Sequence, residues 1–198
     1  MLSMYGLKLV EEIDPSRENA FAIQRLVLQD AKNAEFKDPY KVANPGDRKR
    51  VSVQLDKLLA HPERYSGVVQ GEKLVAYMKH APWYTGDERP FATGLLALEC
   101  HARHLVHRHR PMDEWGVFGL VASTDLRIEA RDAALSELLQ HSFRDPWGAE
   151  KTTNVIIHAH DPLLRIAEDL GFARRGRKGR ATGAPGLMQL RYKRPIYS

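Results

Sequence analysis

Apolar positions recur along the chain with two periods, and the alternation between them lays out the elements. Gly6 to Glu12 ("GLKLVEE") reads as a first strand, after which Asp14-Pro15 or Ser16 caps a helix carrying Phe21, Ile23, Leu26, Val27 and Ala31 at helical spacing. The stretch from Glu35 to Asp47, with two prolines and a glycine, is a polar linker. A second helix then places Val51, Leu55, Leu58 and Leu59 on one face before Pro62 closes it. Tyr65 to Gln70 and Lys73 to Lys79, joined at Gly71-Glu72, predict an antiparallel hairpin.

The second half repeats a strand-then-helix rhythm after an insertion at about 80–114. Within it "HAPWYTGDERP" reads as a loop, and Phe91 to Arg110 puts Leu95, Leu98, Ala102, Leu105 and Val106 on one stripe, as a helix ending before Pro111 would. "EWGVFGLVAS" is an apolar strand feeding a helix that starts at Thr124 or Asp125, with Ile128, Leu135, Leu138 and Leu139 as its core face. "TNVIIHAH" is another strand, and Asp161 before Pro162 is a helix cap followed by proline at the first helical position. That helix stops at Gly171; a short strand, a glycine-rich basic loop and a last strand at Leu187 to Tyr192 follow. No repeat or second domain is visible in residues 1–198, and helices interleaved with a partly antiparallel sheet make the chain mixed α/β.

Composition changes this picture in two places. No window approaches the roughly 20 apolar residues of a membrane span, and the start lacks the order of a signal peptide, so the chain is expected to be soluble and cytoplasmic, with no membrane partner. One cysteine, Cys100, cannot form an internal disulfide. The net charge of +5 is uneven: Leu170 to Ser198 holds eight Lys or Arg and no acid, which leaves the first 169 residues at −3. Such a tail can attract a phosphorylated cofactor or nucleic acid, or simply be solvated surface.

"GLVASTDLRIEARDAALSELL" followed by "NVIIHAHDPLLRIAEDLGFARRG" resembles the central motifs of the GNAT superfamily of acyl-coenzyme A N-acetyltransferases. There a strand, an Arg/Gln-x-x-Gly-x-Gly/Ala turn and a helix precede a strand, a helix and a Leu-Gly-Phe. Arg127 takes the Arg/Gln place, Ala130 that of the first glycine and Asp132 that of the Gly/Ala, and Leu170-Gly171-Phe172 matches as it stands. The resemblance implies a GNAT-like mixed, mostly antiparallel central sheet flanked by helices, splayed between its two central strands. It also implies acetyl-coenzyme A as co-substrate. The pantetheine arm would meet backbone groups of Leu120, Val121 and Ala122, and the pyrophosphate would rest on Arg127, Ile128, Glu129, Ala130, Arg131 and Asp132. A helix start suits an anion because its N–H groups and dipole point outward.

Two departures bear on that implication. The turn has no glycine, and Asp125, Glu129 and Asp132 place negative charge where a phosphate would lie. In addition, the helix before Leu-Gly-Phe holds Ala167 where family members often carry a tyrosine that protonates the leaving thiolate.

Glu114, before the strand lining the implied acyl site, and His158 or His160, at the end of the next strand, are candidate bases; alternation lets only one of the two histidines face the cleft. Glu114 can equally be a solvated loop acid, and the histidines core or rim packing. Cys100, His101, His104, His107 and His109 form no metal-ligand spacing beyond one helical pair, so no metal is expected. Trp83, Tyr84 and Trp115 either wall an acceptor pocket or hold the insertion down. Three functions compete: acetyl transfer to a primary amine of a small molecule or peptide, a non-catalytic binding module of the same fold, and nucleic-acid binding through "RRGRKGR", the least favoured because no stacking aromatics accompany it. A C-terminal strand able to pair across a two-fold axis allows a homodimer.

Overall fold

The computed structural model describes residues 2–33, 48–82, 92–93, 114–144, 152–158, 161–174 and 187–192. Strand β1 is Leu7–Val10, helix α1 Arg17–Asn33 and helix α2 Arg48–Ala60. Strands β2 (Tyr65–Gln70) and β3 (Lys73–Pro82) form the expected hairpin, turned at Gly71 with φ +62°, where a residue without Cβ is favoured. Then come β4 (Ala92–Thr93), β5 (Glu114–Ala122), α3 (Ile128–Arg144), β6 (Thr152–His158), α4 (Leu163–Asp169), β7 (Ala173–Arg174) and β8 (Leu187–Tyr192).

The strands form one sheet in the order β1-β2-β3-β5-β6-β8-β7, with β4 beside β6. Pairing is antiparallel except between β5 and β6 and between β4 and β6. Each face of the sheet buries its own core. On one, Met78, Leu120 and Val155 meet Ala134, Leu138 and Leu139 of α3 and Leu163 and Ala167 of α4. On the other, Tyr65, Tyr77 and Val121 meet Ile23 and Leu26 of α1 and Val51 and Leu58 of α2. Removing a leucine as enclosed as Leu138 costs about 2–5 kcal/mol in comparable cores.

The expected side-chain hydrogen bonds form at both helix starts, although Pro162 flanks α4 and is not its first helical residue. Ser16 Oγ accepts the Asn19 N–H at 3.1 Å at the start of α1, and the Asp161 carboxylate accepts the Leu163 N–H at 2.8 Å ahead of α4. Four further expectations need correction. Helix α3 begins at Ile128, not at Thr124 or Asp125, which lie in the preceding turn. As its first residue, Ile128 lies outside the core face and is 64% exposed. Phe21 and Leu59 likewise lie on the solvent side of their helices. Ala92 and Thr93, expected in an inserted helix, form a strand; the remainder of that expected helix lies outside the described residues.

Candidate functional site

Strands β5 and β6 run side by side from Glu114↔Thr152 to Val117↔Val155 and then part. The cause lies in β5 itself. Against β3, Phe118 pairs with Lys79 and Leu120 with Met78, which leaves Gly119 as an extra residue with φ +71°. A bulge of this kind bends its strand and adds twist, so the rest of β5 turns away from β6. Glycine is required twice over: a side chain would be strained at that φ, and its Cβ would stand 3.1 Å from the Tyr77 hydroxyl oxygen. A glycine inside an apolar strand is the sequence signal that could have located the bulge.

Past the bulge the chain is anchored at Ser123, a buried residue not singled out in the sequence. Its N–H donates to the Val75 carbonyl at 2.7 Å, and its Oγ accepts the Asp125 N–H at 3.2 Å while lying 3.3 Å from Gln29 Oε1 of α1. Helix α3 starts from this turn. The Arg127 carbonyl takes the Arg131 N–H at 2.9 Å, so Arg127 is the residue flanking the helix, and the N–H groups of Ile128, Glu129 and Ala130 fall in the first turn, where no helical carbonyl precedes them.

The side chains around this helix start divide cleanly. Arg127, Ile128 and Glu129 are exposed, whereas Ala130 is buried in the α3 core and can offer a ligand only its backbone. The Ala130 methyl group therefore points into the core and away from the exposed side of the helix start. Asp132 lies beside Arg131, Oδ1 to Nε 3.8 Å, so part of its charge is already met. Leu120, Val121 and Ala122 are buried by side chain, which leaves their backbone as the chemistry they can present.

The remaining candidates sit further off. Glu114 opens β5 three residues before Val117 at the paired end of the two strands, and His158 closes β6 three residues after Val155, each about 10 Å from the parting point along its strand. His158 pairs with Leu187 of β8. Ala167 is fully buried in the α3–α4 core and brings no hydroxyl to its position. His160, Trp83, Tyr84 and the segment from Cys100 to His109 lie outside the described residues, as do Arg175 and Arg177 of the tail. Arg174 is engaged with the Glu168 carboxylate, a hydrogen bond and ion pair that raise its already high pKa. Among the described residues no three His, Cys, Asp or Glu side chains converge as metal ligands, and no helix is long and apolar enough to cross a membrane.

No family model matches the sequence, and no curated protein matches it. Solved structures do match in shape. The PaiA N-acetyltransferase from Thermoplasma acidophilum in complex with coenzyme A superimposes with a TM-score of 0.62 at 7% identity, over 95% of this chain and 99% of that one. The NatC complex bound to Gag peptide and CoA gives 0.59 at 13% identity, over 96% and 99%. An acetyltransferase of the GNAT family from Streptococcus pneumoniae gives 0.54 at 10% identity, over 94% and 98%.

Proposed function

We propose that this chain, which has the GNAT acetyltransferase fold, transfers an acetyl group from acetyl-coenzyme A to a primary amine by direct attack, without a covalent enzyme intermediate. The observation that carries the reading is the placement of a helix start at the mouth of a splay: the first-turn N–H groups of α3 follow directly on the stretch of β5 that has left β6. Bound there, acetyl-coenzyme A would supply the activated acyl thioester. Arg127 and Arg131 would meet its phosphates, with the backbone of Ile128, Glu129 and Ala130, and the backbone of Leu120, Val121 and Ala122 would align its arm. The acceptor amine must lose a proton to attack. His158, on the splayed part of β6, is the better placed candidate base, and Glu114, at the paired end, is the alternative.

A second reading, a binding module that performs no transfer, draws on Ala167: the buried methyl leaves no hydroxyl for the departing thiolate at that position. Calorimetric titration with acetyl-coenzyme A, desulfo-coenzyme A and adenosine 3′,5′-bisphosphate separates the readings. The enzyme reading expects all three to bind and acetyl-coenzyme A to be turned over with an amine. Binding without turnover across a panel of small-molecule and peptide amines supports the module, and no binding of any of the three removes both cofactor readings.

A further inference from the structure

The splay is not empty of chain. The edge of β6 that β5 leaves after Val155 is taken up at once by β4, with Ala92 opposite Ile156 and Thr93 opposite Ile157, running parallel to β6. Strand β4 lies against β5 as well, with Cα atoms of the two within 8 Å. Hydrogen-bonded strands stand about 4.8 Å apart, so an extended arm lying between β4 and β5 would need about twice that, roughly 9.6 Å. The space at this level of the splay therefore holds one extended chain, and β4 is that chain.

We propose that Ala92–Thr93 is an internal competitor for the acyl groove: the arm of acetyl-coenzyme A and β4 occupy the splay in turn, and the ligand binds by displacing the strand. The proposal rests on the cofactor reading given above. The size of the contact suits displacement. A two-residue pairing contributes a few hydrogen bonds, each a small net factor in water, whereas the neighbouring β6–β8 pairing runs over six residue pairs. An occupant held this lightly lowers the apparent affinity of the ligand by the fraction of time it is docked, without abolishing binding.

Loosening and locking the strand test this in the full-length chain. The double substitution Ala92→Pro with Thr93→Pro removes the N–H groups of both residues, including whichever faces β6. It should tighten acetyl-coenzyme A binding by about tenfold, equivalent to roughly 1.4 kcal/mol, in calorimetric titration. Conversely, Ala92→Cys with Ile156→Cys, in a Cys100→Ser background, joins two residues whose Cα spacing as strand partners lies within disulfide range. The oxidised protein should lose at least tenfold in affinity and regain it on addition of dithiothreitol. Equal affinity of the oxidised and reduced forms overturns the proposal, as does unchanged or weaker binding by a proline variant with the parent's melting temperature; if the proline variant does not fold, the disulfide pair decides. Absence of binding in every form, the reduced and proline proteins included, defeats the cofactor reading itself and this proposal with it, whereas binding indifferent to both changes overturns this proposal alone.

Discussion

The two motifs that carry the resemblance do different physical work. Leu170-Gly171-Phe172 closes a helix. The Phe172 N–H reaches the Ala167 carbonyl at 3.0 Å and the Gly171 N–H the Glu168 carbonyl at 2.9 Å, with Gly171 at φ +91°: two bonds that satisfy the last carbonyls of α4 and need a left-handed residue between them. Phe172 then enters the core edge to face with Phe143, whose ring stacks on Tyr192 at 4.1 Å. Every residue of that motif is held by its neighbours. The segment from Arg127 to Asp132 is packed into the core at Ala130 and half-buried at Arg131 and Asp132, while Arg127, Ile128 and Glu129 face solvent. A motif fixed by packing on every residue stays recognisable in a distant sequence; a helix start with an exposed side can carry aspartate there, and a small alanine on its buried side, without disturbing the fold.

That contrast can be broken at four points, in falling order of expected effect. Phe172→Ala should cost about 3–5 kcal/mol of stability, read as a lowered denaturant midpoint, while leaving the dissociation constant for adenosine bisphosphate unchanged in the fraction that folds. A matched loss of nucleotide affinity would tie the two motifs together. Gly119→Ala should destabilise by about 1–3 kcal/mol through strain at φ +71° and the clash with the Tyr77 hydroxyl. Adding Tyr77→Phe should recover the steric share; a double-mutant cycle showing no coupling would mean that the backbone term acts alone.

At the helix start proposed above as the phosphate site the sign reverses. Asp132→Ala should leave the melting temperature near that of the parent and tighten coenzyme A binding by up to about tenfold, roughly 1.4 kcal/mol, because it removes a carboxylate and releases Arg131 from it. Arg131→Ala should weaken the same binding, and silence of both changes would mean that this helix start holds no phosphate. The smallest effect is expected at Gly171→Ala, about 1 kcal/mol of stability for a side chain in the left-handed region, with open contact to the Tyr192 ring at 3.6 Å.

How far the sequence was legible follows from what local patterns can report. The hairpin about Gly71, the capping hydrogen bonds at Ser16 and Asp161 and the end of α4 are decided within a few residues, and each stands where the pattern put it. The start of α3 was misplaced because Thr124 and Asp125 are capping types, yet Ser123 Oγ takes the Asp125 N–H into a turn and delays the helix to Ile128. The bulge had one sequence signal, the glycine inside an apolar strand, but its register depends on the pairing of Gly119's neighbours with β3. Strand β4 was not legible at all: Ala92–Thr93 becomes a strand by reaching Ile156 and Ile157, more than sixty residues away. Periodicity carries no information about such partners, although the splay that the bulge creates was implied by resemblance.

Ser123 gives the molecule a mechanical joint. Helices α1 and α3 pack on opposite faces of the sheet, and the Ser123 side chain reaches Gln29 on the first while bonding the turn that launches the second. The 3.3 Å contact with Gln29 and the bond to the Asp125 N–H thus place one side chain between α1 and the turn that starts α3. Among the described residues, that hydroxyl touches a side chain from one face of the sheet and the helix start of the other.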